Sequence, residues 1–166
     1  MGNMKISSDG IQHLVNIEGG AQLTMYDDAG KNKGHCTIGV GHLIHKTICN
    51  GTIPSEKSYL KGISITHAKK LLKTDLAIAE SAVNGAITVP LTQNQYDALV
   101  SFVFNAGAGA FRKSTLRKYI NSKQYKKASN EFLIWNKMTV SGAKKISAGL
   151  TNRRIAEKAL FDKVTP

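Results

Sequence analysis

The sequence predicts an α+β protein with one helix first, a small β lobe next, and helices only after that. Three observations carry this reading. Apolar residues recur at helical spacing ahead of Gly19 and again from Thr66 onward. Between these stretches, residues 21–63 hold Gly30, Gly34, Gly39, Gly41, Gly51 and Gly62, several threonines and short apolar runs, the composition of hairpins and turns. Proline stands only at 54, 90 and 166, so long helices are permitted. At 166 residues the chain is one domain's worth, read as a single domain over 1–166 with a helix at 8–18, a β lobe at about 21–63 and a helical lobe at about 64–166.

The first helix takes Ser8 or Asp9 as its cap and sets Ile11, Leu14, Val15 and Glu18 on its period. Gly19-Gly20 ends it, because a helix stop favours residues that tolerate positive φ. In the β lobe, Cys36-Thr37-Ile38 reads as a strand beside Gly39 and Gly41. From Thr66, the residues Ala68, Leu71, Leu72, Asp75, Leu76, Ala79 and Val83 keep to one side of a single helix that Asn84-Gly85 stops. Thr92 with Gln95 is a capping box ahead of Tyr96, Leu99, Val100, Val103 and Phe104. The run Leu99 to Phe104 is apolar nearly all round, which marks the central buried helix. Asn105 to Gly109 break it, and Ser114 caps a short helix to Ile120. Tyr125, Ala128, Phe132, Leu133 and Trp135 indicate another, and a last helix covers about Thr151 to Phe161.

Composition excludes several classes. An apolar fraction of 42 % with 20 % charged residues is that of a globular protein rather than a disordered one. No run approaches the ~20 apolar residues of a membrane-spanning helix. Met1 to Gly10 is polar, unlike a secretory signal, and two cysteines are too few for a disulfide framework. The charge is uneven. Residues 1–111 carry nine basic and eight acidic side chains, net +1, whereas residues 112–166 carry 14 basic and three acidic, net +11. A basic surface of this strength attracts polyanions: nucleic acid, anionic lipid or an anionic cell wall.

Glycosidase chemistry needs two carboxyl groups about a sugar's width apart, one kept protonated and one ionised. The first 55 residues contain four acids, Asp9, Glu18, Asp27 and Asp28. Glu18 falls at the C-terminal end of the first helix, where the helix dipole disfavours the carboxylate. Asp27 and Asp28 are adjacent, so on a strand they face opposite ways and one of them alone can face a given site.

These residues carry a resemblance. Glu18-Gly19, Tyr26-Asp27-Asp28 and Thr37-Ile38-Gly39-Val40-Gly41-His42 resemble the catalytic signature of the phage-type lysozymes, the endolysins grouped as glycoside hydrolase family 24. Phe104 to Phe111 followed by Ser114-Thr115-Leu116 resembles that family's helix-to-loop segment. Trp135-Asn136-Lys137 with Gly149-Leu150-Thr151-Asn152-Arg153-Arg154-Ile155-Ala156-Glu157 resembles its C-terminal Gly-Leu-x-x-Arg-Arg-x-x-Glu motif. The similarity covers nearly the whole chain in order. It implies a lysozyme-like fold and a muramidase that hydrolyses the β-1,4 bond between N-acetylmuramic acid and N-acetylglucosamine in bacterial peptidoglycan. By this resemblance Glu18 is the general acid, the aspartate stabilises positive charge on the sugar, and Thr37 holds the attacking water, an inverting arrangement. Tyr26, Phe111 and Arg112 are the substrate-binding residues it implies. The family commonly has eight residues between Glu and Asp and five between Asp and Thr. Counting eight from Glu18 reaches Asp27, whereas the aromatic anchor Tyr26-x-Asp reaches Asp28. Asp28 is taken as the catalytic aspartate and Asp27 as the alternative. Either leaves a longer loop before Thr37, containing Lys31 to His35.

His35, Cys36, His42, His45 and Cys49 have the chemistry of zinc ligands but no ligand-pair spacing, so no metal and no cofactor is expected. His42 is read as structural, paired with Asp75, and Arg153-Arg154 as pairing with Glu157. Cys36 and Cys49 are either bridged, once the chain reaches an oxidising compartment, or buried as free thiols. Lys123, Lys126, Lys127, Lys137, Lys144 and Lys145 are candidates for attraction to anionic cell-envelope polymers, and the protein is expected to be a monomer without an obligate protein partner. Without a signal it is expected to be made in the bacterial cytoplasm and to reach the wall by a holin or another route. Two competing functions are a basic nucleic-acid-binding module, which lacks a recognisable motif or stacking platform here, and a lytic transglycosylase on the same glycan.

Overall fold

The structure is a computed structural model that describes residues 3–164. It divides into two compact units, Ile11–Asp75 and the chain up to Gly10 taken with the chain from Leu76 onward.

The helix α1 (Ser8–Ile17) enters the smaller unit at Ile11 and ends there in a Schellman motif. The Gly20 N–H reaches the Val15 carbonyl at 2.8 Å and the Gly19 N–H reaches Asn16 at 3.2 Å. Gly19 has the positive φ that the motif demands, Gly20 has one as well, and Glu18 becomes the last residue before the reversal. Three antiparallel strands follow in the order β1 (Gln22–Asp27), β2 (Cys36–Gly39) and β3 (His42–His45). The central strand β2 is buried along its length. Val40 and Gly41 make the tight β2–β3 turn, with Gly41 at φ 71°. After a 3₁₀ turn at Pro54–Tyr59, α2 (Ile65–Asp75) packs its buried Ala68 and Leu72 toward β2. His42 Nδ1 stands 2.8 Å from Asp75 Oδ2, the pairing read from the sequence, here a half-buried contact.

The larger unit corrects four expectations. The cap of α1 is Ser7, not Ser8 or Asp9: its Oγ accepts the Gly10 N–H at 3.0 Å. Asp97 orients it by accepting both the Ser7 N–H, at 3.1 Å, and its hydroxyl. The single helix expected from Thr66 to Val83 is interrupted at buried Leu76, whose ψ of −9° opens the turn between α2 and α3 (Ala77–Ala86). A short α5 (Ala108–Lys113) fills part of the expected break after α4 (Gln93–Ala106). And the C-terminal part is not helices only, since β4 (Lys137–Val140) and β5 (Ala143–Ile146) form a hairpin. Every residue of both strands is exposed, so no alternation of apolar and polar side chains announces them. Their turn is Ser141-Gly142, both at positive φ, as a type I′ turn requires.

The other helices follow their sequence signals. Thr92 and Gln95 form the capping box of α4, whose residues from Tyr96 to Val103 are all buried. Ser114 caps α6 (Thr115–Asn121); α7 (Tyr125–Glu131) runs into a 3₁₀ turn at Phe132–Ile134. The last helix, α8 (Ala148–Asp162), starts earlier than about Thr151 because Ser147 Oγ accepts the Leu150 N–H at 3.2 Å. Phe102 is the centre of the core, edge-on to Phe132 at 5.6 Å and to Trp135 at 5.3 Å, with the Arg154 guanidinium 4.9 Å above its ring. Beside it, buried Glu157 accepts from Ser101 Oγ at 2.5 Å, from Arg153 Nε at 3.2 Å and from Arg154. Burial lowers the Arg154 guanidinium from its ordinary range, and the Glu157 charge acts against that. No helix among the described residues is long and apolar enough to cross a membrane.

Removing one partner of such a buried charge cluster leaves the others uncompensated, at a cost of about 3–5 kcal/mol. Glu157→Ala is therefore expected to lower the melting temperature by roughly 6–20 °C, at about 2–4 °C per kcal/mol for a chain of this size. Glu157→Gln, which keeps hydrogen-bonding oxygen and volume, is expected to lose less. Circular-dichroism melts of the two variants beside wild type check both the size and the order.

Candidate active site

The register of β1 against β2 sets the site. Tyr26 is the Cα partner of Thr37, and Asp27 is the partner of Cys36. Side chains of directly opposed residues share a face, and successive residues alternate. The ladder continues past the strand end, where the Asp28 N–H reaches the His35 carbonyl at 3.1 Å. Tyr26, Asp28, His35 and Thr37 therefore belong to one face, and Asp27 and Cys36 to the other.

The two aspartates have different work. Asp27 Oδ2 accepts the Asn32 N–H at 2.8 Å and its Oδ1 accepts the Cys49 N–H at 2.8 Å, so both oxygens hold the surrounding loops. Asp28 Oδ1 accepts the His35 N–H at 2.8 Å, and its Oδ2 lies 3.9 Å from His35 Nδ1, with both side chains partly exposed. Gly34 makes this seat possible. It sits at φ 86°, and a methyl group there would press on Asp28 Oδ1 and stand 2.8 Å from the Ala29 Cβ. The sequence offers no signal for this role, because a glycine in a loop says nothing about which carboxylate it approaches.

Glu18 and Asp28 both act on Tyr26. Burial pushes the Tyr26 phenol above its ordinary range, and the charges of Asp28 and then Glu18 push it further. The structure thus brings Glu18, Tyr26, Asp28 and Thr37 together in one unit. Thr37 is 4 % exposed and its hydroxyl donates to the His35 carbonyl at 3.0 Å, which leaves the oxygen's lone pairs as acceptors. Such a set can supply a proton donor, an anion to stabilise positive charge, and an acceptor to orient water.

Phe111 and Arg112 lie in the other unit. Arg112 is exposed. Phe111 is 0 % exposed and packs edge-on to Phe102 at 6.3 Å, so the expectation that its ring meets substrate is corrected: it is a core side chain. Among the zinc-ligand candidates, Cys36 and Cys49 are joined in a disulfide, which resolves the two readings of those cysteines. His45 Nε2 is 2.6 Å from Oε1 of buried Glu56, and this hydrogen bond holds the Glu56 carboxyl below the usual carboxylate range against the effect of burial.

The family model described as Phage lysozyme matches residues 16–157. The chain is 42 % identical over 160 residues to the endolysin of Salmonella phage P22, covering 95 % of this chain and 98 % of that one. It is 41 % identical over 163 residues to the endolysin of Bacillus phage PZA, covering 98 % of this chain but 57 % of that longer protein. The solved structure of the endolysin from Escherichia coli O157:H7 phage FAHEc1 matches with a TM-score of 0.82 at 36 % identity, covering 99 % of this chain and 98 % of the other.

The face assignment has a spectroscopic consequence. A negative charge beside a phenol opposes the phenolate, so removing it lowers the tyrosine pKa. Asp28→Asn is expected to lower the Tyr26 pKa, Glu18→Gln to lower it less, and Asp27→Asn to leave it nearest wild type. Ultraviolet titration against a Tyr26→Phe reference measures all three.

Proposed function

The chain belongs to the phage lysozyme family, endolysins that break down peptidoglycan, and on that premise we propose that it hydrolyses the β-1,4 bond between N-acetylmuramic acid and N-acetylglucosamine with inversion at the anomeric carbon. The observation that carries the proposal is the electrostatic convergence of Glu18 and Asp28 on Tyr26, whose strand partner is Thr37.

Glu18 is the general acid. It gives its proton to the glycosidic oxygen as the bond to the anomeric carbon breaks. Asp28, held by the His35 N–H, stabilises the positive charge that develops on the sugar. Thr37 and Asp28 accept hydrogen bonds from a water that attacks the opposite face. A threonine where a retaining enzyme has a nucleophilic carboxylate favours attack by water and hence inversion. Tyr26 borders the glycan, and the net +11 of residues 112–166, Arg112 among them, draws the enzyme to anionic cell-envelope polymers.

Glu18→Gln is expected to reduce lysis of purified cell walls by at least about 10²-fold, the low end of what general acid catalysis supplies, with an unchanged melting curve. Asp28→Asn is expected to be far more damaging than Asp27→Asn, whose oxygens hold backbone rather than substrate. Early-time proton NMR of a cleaved soluble glycan is expected to show the α-anomer first. A β-anomer would remove the roles given to Asp28 and Thr37 together, and a 1,6-anhydro end in the products would make the enzyme a lytic transglycosylase.

A further inference from the structure

The face of the sheet that turns away from Tyr26 and Thr37 carries a second group of reactive side chains. Cys36 Sγ, a ring nitrogen of His45 and a carboxylate oxygen of Glu56 all lie within 4.8 Å of one another. Cys49 Sγ is bonded to Cys36 Sγ at 2.03 Å. We propose that, when this disulfide is reduced, Cys36, Cys49, His45 and Glu56 form a four-ligand site for a zinc-class divalent cation. The inference stands apart from the hydrolytic reading.

Geometry and chemistry both point there. A tetrahedral zinc site has bonds of about 2.0–2.3 Å, which puts its ligand atoms roughly 3.3–3.8 Å apart. The two bonded sulfurs, and His45 Nε2 with Glu56 Oε1 at 2.6 Å, must part to reach that spacing, while the other separations among Cys36, His45 and Glu56, all within 4.8 Å, need to close by at most about an ångström. Two thiolates, one imidazole and one carboxylate make a donor set suited to zinc, with the negative charge that compensates a buried dication. The supporting contacts are in place. Glu56 is 0 % exposed and is aimed by the Asn50 N–H at 3.1 Å and the Gly51 N–H at 2.5 Å. Thr47 Oγ1 lies 3.0 Å from His45 Nδ1, where it accepts a hydrogen bond from Nδ1–H when Nε2 takes the metal, replacing the Thr47 N–H that donates to Nδ1 at 3.3 Å.

The redox step balances. A thiol or phosphine reductant supplies two electrons, the S–S bond breaks, and two protons are taken up to give two thiols. Metal binding expels those two protons and moves the imidazole proton from Nε2 to Nδ1. Oxidation reverses the sequence and releases the ion. The segment carrying Cys49 is then tied to β2 in either state, by the metal where thiols persist and by the disulfide where they do not.

The test uses the full chain reduced with a phosphine and titrated with Co²⁺, then Zn²⁺. One equivalent of Co²⁺ is expected to give thiolate charge-transfer absorption and the visible bands of a tetrahedral site, with Zn²⁺ displacing it and raising the melting temperature of the reduced chain alone. Thr47→Val is expected to weaken binding roughly 10–100-fold, and Cys36→Ser with Cys49→Ser to abolish the charge-transfer band. Three results would overturn the proposal: a reduced wild type that keeps its near-ultraviolet dichroism yet binds no stoichiometric Co²⁺, equal binding by the oxidised chain, or binding unchanged in His45→Gln and Glu56→Gln.

Discussion

The pairing of Tyr26 with Thr37 decides what each side of the small sheet can do. Strand residues alternate faces, so a slip of one position would exchange Asp28 for Asp27 and Thr37 for Cys36. The register is fixed from several directions. Asp27 Oδ1 holds the Cys49 N–H and the disulfide joins Cys49 to Cys36, on the side of the sheet opposite the site. The Asp28 N–H closes the ladder on the His35 carbonyl. Interactions on the Cys36 face thus hold the face of Tyr26 and Thr37 in place without occupying it.

Glu18 is fixed by a different device. Backbone hydrogen bonds stop α1, and they leave Glu18 at the point of reversal. Two glycines are needed because both residues after Glu18 have positive φ, at 84° and 96°. A helix end defined by its own backbone makes a firm base for an exposed side chain, since the position of the Glu18 backbone does not depend on what its carboxyl meets.

Much of this is legible in the sequence, and the parts that are not share a cause. The Gly19-Gly20 stop, the Thr92–Gln95 capping box and the Ser114 cap depend on residues close in sequence, and the His42–Asp75 pair, 33 residues apart, is legible from its complementary chemistry. The capping of α1 by Ser7 depends on Asp97, 90 residues away, and no local rule prefers Ser7 over its neighbours. Phe111 reads as a substrate-side aromatic, yet its burial follows from Phe102, which the chain brings to it only on folding. The β4–β5 hairpin escapes because periodicity reveals strands that bury one face, and this one buries neither. Of the two aspartates, the aromatic anchor points to the one on the Tyr26 face, while the residue count points to its neighbour.

The loop between Asp28 and Thr37 is a separate departure, longer than the five residues the family commonly has. Loop closure costs little more as a loop lengthens, since the entropy grows only with the logarithm of length. Extra residues between Asp28 and Thr37 can therefore be accommodated if their ends stay in register. Here Asp27 Oδ2 accepts the Asn32 N–H, the Ala29 N–H donates to the Lys33 carbonyl at 3.2 Å, and Asp28 Oδ1 accepts the His35 N–H. The loop folds back on the two aspartates that precede it, with Asn32 at φ 61° and Gly34 at φ 86° making the tight reversals. Asp27 gives up both oxygens to that folding, which leaves Asp28 as the carboxylate with an oxygen that no backbone N–H claims among the described residues. The pleat thus keeps Asp28 on the face of Tyr26 and Thr37 whatever the length of the loop that follows.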